Sequence, residues 1–474
     1  MPLELLAFSS IGELRRKLDA GEVSAEQLAR AAFAGLESEG RQHHLVAAMS
    51  LERALEEAVR ADELIQSGGQ TLLTGIPYGV KDQLAAVGMP TCWGSPVYES
   101  QQFDYDATVV QRLCREGAVL VAKLALMELG GAGGYRSASA CASGPTSNPW
   151  NPDHWAGGSS GGSAAVVGAG LLPFALGGDA LGSIILPAAF CGVTGLRPTY
   201  GAVSSFGSMP GSWSLGKVGV LSRSAVDCAS VFQVIAGKDA KDPVSTDDSQ
   251  KDLPPRPYRL GVLPAEAAQT DAVGELLDTA LGVLRGLSMR VSDVRLPEHD
   301  YVDLAKRIRA GEAVAGHEEL IRDPEMLSRV IDERQREGLR AFLDQPLSSF
   351  PRAVEERVRA REAVMTAFGG VDFLVTASVP TEAPPLEADL SDQPFRYSTH
   401  MAIGALAGLP GVSIPIGFGP AGLPVGMTII GQPFADLGVL DVAKQYQDVT
   451  KWHLASPNAQ VGHSLAGEVE SITQ

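Results

Sequence analysis

The chain has 474 residues, 45% of them hydrophobic and 20% charged, a balance that excludes a fibre and a wholly disordered chain. Lys and Arg number 38 against 56 Asp and Glu, and the net charge of −18 works against unaided binding to nucleic acid or to an anionic membrane. The length fits two or three average domains or one large α/β unit.

The start, Met1 to Lys17, carries Glu4 and Glu13 and has no long apolar block behind a basic cluster, so it does not resemble a signal peptide. Ser24 with Gln27 three positions on makes a capping box, and Leu28, Ala31, Ala32 and Leu36 recur at helical spacing, which predicts an amphipathic helix over 25–36. Leu51 to Ile65 repeats the pattern and stops at Gly68-Gly69. Residues 1–70 therefore read as a helical arm on a main body of 71–474, the two forming one structural unit.

From Gly75 onward, apolar runs such as Ala118 to Ala122 alternate with glycine turns and helices, the texture of a largely buried sheet covered by helices. Ala164 to Gly178 is the most membrane-like stretch, but it is built of small residues, is broken by Pro173 and is closed by Asp179. It falls short of a bilayer span and reads as core. Lys241 to Pro257 reads as a surface connection. Beyond it, Arg259 to Leu263 and Met289 to Val294 are predicted strands flanking a helix over 271–287. Residues 300–368 are charged and helical, with Val354, Val358, Met365 and Phe368 roughly on one face. The strand Phe373 to Thr376 and the stretch Leu409 to Pro433 return to sheet.

Five cysteines, Cys92, Cys114, Cys141, Cys191 and Cys228, form no CxxC pair, a pattern that fits reduced thiols in a cytosol. His43-His44 has no companion ligands at metal-binding spacing. No metal or cofactor is expected.

Three glycine-rich segments carry the chemistry: Gly75 to Asp82 with Lys81 inside it, Gly157 to Ser163 with two adjacent serines, and Gly182-Ser183-Ile184. Glycine lets the main chain approach a ligand closely and exposes serine hydroxyls and bare N–H groups. A serine nucleophile with a lysine base is one reading of that set. The Gly157 to Ser163 segment also matches the nucleophile elbow G-x-S-x-G, with Ser159 or Ser160 at its centre. That pattern needs an acid and a histidine downstream, and His299, His317, His400, His453 and His463 sit in no recognisable context. A linker is disfavoured because the segment runs straight into Ala164-Ala165-Val166-Val167. Ser214 to Lys217 matches S-x-x-K, but the accompanying S-D-N and K-T-G motifs are missing, so the match reads as coincidence. By itself Lys81 is a surface lysine beside Asp82; its glycine and apolar setting argues for more.

Together with Pro187 to Thr199, these segments closely resemble the amidase signature family, over about 75–227 and again, more weakly, over 406–452. The resemblance implies an α/β fold with a large mixed, twisted central sheet covered by helices, a signature core at about 75–227 and a variable helical region at about 300–370. It also implies a Ser-cisSer-Lys triad in which Lys81 is the base, Ser159 the bridging serine and Ser183 the nucleophile. Ala180, Leu181, Gly182 and Ser183 would present N–H groups to the oxyanion, with Gly133 on the substrate-binding side and Asp179 in support. The family commonly has threonine, glycine and arginine where this chain has Ala180, Leu181 and Ile185, and the missing arginine removes an expected partner of Asp179.

A lysine accepts a proton only when neutral, and burial can lower its usual pKa of about 10.4 by as much as ~3–5 units. Ile76, Tyr78 and Val80 are candidates to line such a pocket. Tyr135, Leu181, Ile185 and parts of 300–368 are expected to shape the substrate cavity.

The implied activity is a cytoplasmic amidohydrolase that cleaves a small carboxamide through an acyl-serine, with no direct nucleic-acid or membrane partner and a homodimer left open. The alternatives are the amidase subunit of a tRNA-dependent amidotransferase and an esterase.

Overall fold

Apolar runs bounded by glycine and proline turns become strands, and the computed structural model, which describes residues 6–247, 252–391 and 393–457, joins eleven of them in one sheet. They are β1 (Val46–Met49), β2 (Pro77–Lys81), β3 (Val119–Leu124), β4 (Phe174–Asp179), β5 (Thr194–Arg197), β6 (Lys217–Ser222), β7 (Arg259–Val262), β8 (Arg290–Asp293), β9 (Phe373–Ala377), β10 (Gly411–Phe418) and β11 (Pro424–Gly431). Their order is β1-β3-β2-β4-β6-β5-β10-β11-β9-β7-β8. Parallel pairing joins β3, β2 and β4 at one end and β9, β7 and β8 at the other, while the remaining pairs are antiparallel. This is the mixed α/β architecture expected.

Local signals explain most elements. Ser24 accepts the Gln27 N–H and Gln27 reaches back to Ser24, so the helix Ala25–Gly35 starts at a complete capping box. The helix Leu51–Gln66 packs on β3 and on Ala25–Gly35. The amino-terminal region is more than a helical arm, however, because β1 pairs antiparallel with β3 and so belongs to the sheet.

The stretch read as core is core. The helix Gly161–Gly168 and β4 are buried throughout. The helix carries nothing larger than valine, and a Cβ at Gly162 would collide with the main chain of Leu45 and Ala125, so only glycine lets it approach this closely.

Residues 300–368 are helical at Tyr301–Gly316, Glu318–Arg322, Pro324–Ser328, Glu333–Leu343 and Ser349–Thr366. The four residues placed on one face divide: Val354 and Val358 are exposed, whereas Phe368 is buried with Ala353, Ala360 and Val364, and Met365 packs against the same cluster. All five cysteines are unpaired. Among the described residues, no helix is long and apolar enough to cross a membrane, and no cluster of His, Cys, Asp or Glu could hold a metal ion.

Candidate active site

Lys81 is the last residue of β2 and is 1% exposed. Its Nζ donates to Ser159 Oγ at 2.7 Å and to the Gly178 carbonyl at 2.9 Å. Burial pushes this amine down to about 7; Asp179 opposes the shift and Arg309 adds to it. Side chains alternate across a strand, so Tyr78 and Val80 lie on the opposite face of the sheet from Lys81 and do not line its pocket. Tyr78 instead stacks on Phe174 at 5.2 Å. The turn that carries Ser159, the end of β4 and the Leu129-Gly130 loop line the cavity with Lys81.

Ser159 precedes the helix Gly161–Gly168, and its peptide bond with Gly158 is cis. Ser160 fixes this turn to the next one: its Oγ donates to the Gly178 carbonyl at 3.1 Å and its N–H donates to the Ser183 carbonyl at 3.3 Å. Lys81, Ser159 and half-buried Ser183 line one cavity of about 220 Å³. No histidine lines it among the described residues, so the nucleophile-elbow reading lacks its base. His463 lies outside the described residues.

Asp179, at the end of β4, accepts the Gly182 N–H at 2.8 Å and the Ile184 N–H at 2.7 Å. Main-chain donors thus occupy the carboxylate where the missing arginine was expected, and they shape the turn that presents Ser183. Gly182 needs its φ of 100°, and a Cβ there would strike the Met401 sulfur. Its N–H is spent on Asp179 and is not aimed at an oxyanion. The Ala180, Leu181 and Ser183 N–H groups have no chain acceptor among the described residues.

Several residues expected at the cavity lie elsewhere. Gly133 packs against the helix Glu333–Leu343, where a Cβ would meet the Gln335 carbonyl, and it is Leu129 and Gly130 that reach the cavity. Tyr135 and Ile185 belong to a separate apolar cluster around Trp155, and Leu181 packs beside the Leu304 and Ile403 cluster. Of residues 300–368, Arg309 lines the cavity.

The largest part of the wall carries no motif: residues 205–218 supply Ser205, Ser208, Met209, Trp213 and Lys217 among others. The serine, glycine and proline density of this stretch is a loop signal, and the S-x-x-K match that contains Lys217 gives no hint of the cavity. Ser214 and Lys217 do not pair. Arg357 donates to Ser214 Oγ at 2.7 Å, and Lys217 Nζ donates to the Leu215 carbonyl at 2.8 Å.

A family model described as Amidase matches residues 28–440. The A-subunit of glutamyl-tRNA(Gln) amidotransferase from Synechococcus elongatus is 35% identical over 480 residues, covering 95% of this chain and 99% of that one. The peptide amidase from Stenotrophomonas maltophilia superposes with a TM-score of 0.83 at 28% identity, over 93% of this chain and 96% of the other. The A-subunit of glutamyl-tRNA(Gln) amidotransferase from Thermotoga maritima gives a TM-score of 0.73 at 26% identity, covering 90% and 93%.

Proposed function

This chain belongs to the amidase family, whose members are hydrolases acting on amide C–N bonds, and on that premise we propose that it cleaves a small carboxamide through an acyl-Ser183 intermediate. The observation that carries the reading is the 2.7 Å contact between a fully buried Lys81 amine and Ser159 Oγ, in a cavity that Ser183 also lines.

With a pKa near 7, Lys81 holds an available lone pair at neutral pH. Ser183 Oγ attacks the substrate carbonyl as its proton passes to Ser159 Oγ, while the Ser159 proton passes to Lys81 Nζ. The relay then runs in reverse, protonating the amine so that it leaves as the tetrahedral intermediate collapses. Water, activated by the same relay, hydrolyses the acyl-serine and restores the Ser183 hydroxyl. The uncommitted Ala180, Leu181 and Ser183 N–H groups are the candidate oxyanion donors, each of the kind worth about 2.7–4 kcal/mol. Asp179 is a positioning residue that holds the turn.

Replacing Ser183 by alanine is expected to abolish both amide hydrolysis and labelling by a fluorophosphonate; labelling that persists removes Ser183 from the nucleophile's role.

Similarity to the amidotransferase A-subunits over nearly the full length favours a second reading, in which the chain works inside such a complex and hands ammonia to a partner. The acidic charge then leaves RNA binding to the partner. Glutamine-dependent ammonia release, together with a co-purifying tRNA-binding protein, selects this reading. Comparable kcat/KM on a matched ester and amide selects the esterase.

A further inference from the structure

The cavity has a second charged wall that the relay does not use. Lys217 opens β6 and stands opposite Asp179 in the antiparallel β4–β6 register, so the two side chains share one face of the sheet. Lys217 is 5% exposed, lines the cavity and, among the described residues, donates to one acceptor, the Leu215 carbonyl at 2.8 Å. Asp179 does not pair with it, having already taken the Gly182 and Ile184 N–H groups. Arg309, from the helix Tyr301–Gly316, lines the same cavity and donates to the Gly130 carbonyl at 2.7 Å. Among the described residues that line the cavity, Asp179 is the one acid, set against the cations Lys81, Lys217 and Arg309.

A buried ammonium with no anionic partner is costly, and charge-assisted hydrogen bonds to a carboxylate are among the strong ones. Burial pushes the Lys217 amine down to about 7; Arg197 adds to the shift, Asp179 opposes it, Arg357 adds and Glu312 opposes. An anion entering the cavity would hold that amine protonated. Asp179, the one carboxylate among the described lining residues, already accepts two main-chain N–H groups.

We propose that Lys217 is the subsite for a carboxylate carried by the substrate, which makes the substrate the half-amide of a short dicarboxylic acid rather than a neutral amide or an α-amino acid amide. This rests on the reading of Ser183 as the nucleophile, because it places the carboxylate in the same cavity as the scissile carbonyl.

Succinamate, its neutral isostere isocaproamide and the α-amino acid amide alaninamide separate these cases. Wild-type kcat/KM is expected to favour succinamate over both by about tenfold or more, the size of one hydrogen bond to a charged group. Lys217→Met brings the succinamate to isocaproamide ratio close to one, and Lys217→Arg restores part of it. A wild-type ratio near one, or a ratio that Lys217→Met leaves unchanged, overturns the assignment. A second measurement needs no turnover: succinate raises the Tm of the Ser183→Ala protein and fails to raise that of the Ser183→Ala, Lys217→Met protein. No rise in the first, or an equal rise in both, overturns the carboxylate subsite. If the Lys217-dependent rise is present but wild type hydrolyses no amide, the subsite stands and the hydrolase reading falls. If isocaproamide turns over and succinate gives no rise, the reverse holds.

Discussion

Two lysines on neighbouring strands meet the same burial with different partners. Lys81 on β2 and Lys123 on β3 are each at most 1% exposed, and strand alternation places them on opposite faces of the sheet. Lys123 Nζ lies 2.8 Å from Asp82 Oδ1 and donates to Thr91 Oγ1 at 2.7 Å, while the other Asp82 oxygen accepts the Cys92 N–H at 3.0 Å. Burial pulls the Lys123 amine down and the Asp82 carboxyl up, and each opposes the shift of the other. Among the described residues, Lys81 Nζ bonds to a hydroxyl and a carbonyl, and its amine falls to about 7. A carboxylate in contact gives Lys123 a counter-charge that Lys81 lacks among the described residues.

The largest effect expected from breaking this contrast is at Lys81. Lys81→Met removes the general base and is expected to lower kcat/KM by about 10²–10⁴-fold. For an uncharged amide, wild-type kcat/KM should climb with pH up to about 7 and then level, as Lys81 becomes neutral. Stability carries the same signature. The folded pKa lies below the unfolded value, so between about 7 and 10.5 the unfolded chain holds a proton that the folded one does not. The Lys81 contribution to stability therefore falls as pH drops across that window and is constant below it. Wild type is expected to lose ground to Lys81→Met by as much as ~5 kcal/mol from the alkaline end to pH 7, at about 1.36 kcal/mol per unit. Denaturant titrations of both proteins across that range check it, and parallel curves contradict an amine of depressed pKa.

What a sequence displays of such a site depends on how far each contact reaches. Lys81, Ser159 and Ser183, which share one cavity, each sit in a glycine-rich segment, and the family resemblance picks them out of those segments. The capping box at Ser24 and the buried run of Ala164 to Gly178 were legible from local residue patterns. Lys217 was not, because its place beside Asp179 depends on a β4–β6 register between segments far apart in the chain. Gly133 was misplaced because its neighbour is a helix some 200 residues on, Glu333–Leu343. Strand β1, four residues of Val46-Ala47-Ala48-Met49, is too short to show a period.

The next effect in size falls on the paired lysine. Asp82→Asn keeps an oxygen for the Cys92 N–H but leaves Lys123 buried without its counter-charge, and is expected to cost about 3–5 kcal/mol of stability by chemical denaturation. Adding Lys123→Met removes the stranded charge, and the double variant is expected to regain most of that loss. A double variant as unstable as Asp82→Asn alone would mean that the pair matters for its hydrogen bonds and not for its charges.

The smallest effect tests the claim about faces. Tyr78 is three residues before Lys81, fully buried, with no hydrogen-bond partner for its hydroxyl among the described residues. Its neighbourhood is that of the opposite face: Phe174 stacked on its ring, with Glu57 and Arg53 as the charges acting on it. Tyr78→Phe deletes a buried polar atom that nothing satisfies, so stability is expected to hold or to rise by up to about 1 kcal/mol. More tellingly, the pH profile of kcat/KM should superpose on that of wild type, because the ring is no part of the low-dielectric wall that lowers the Lys81 amine. A displaced rising limb would put Tyr78 on the catalytic face and return the pocket to the residues that immediately precede Lys81 in the chain.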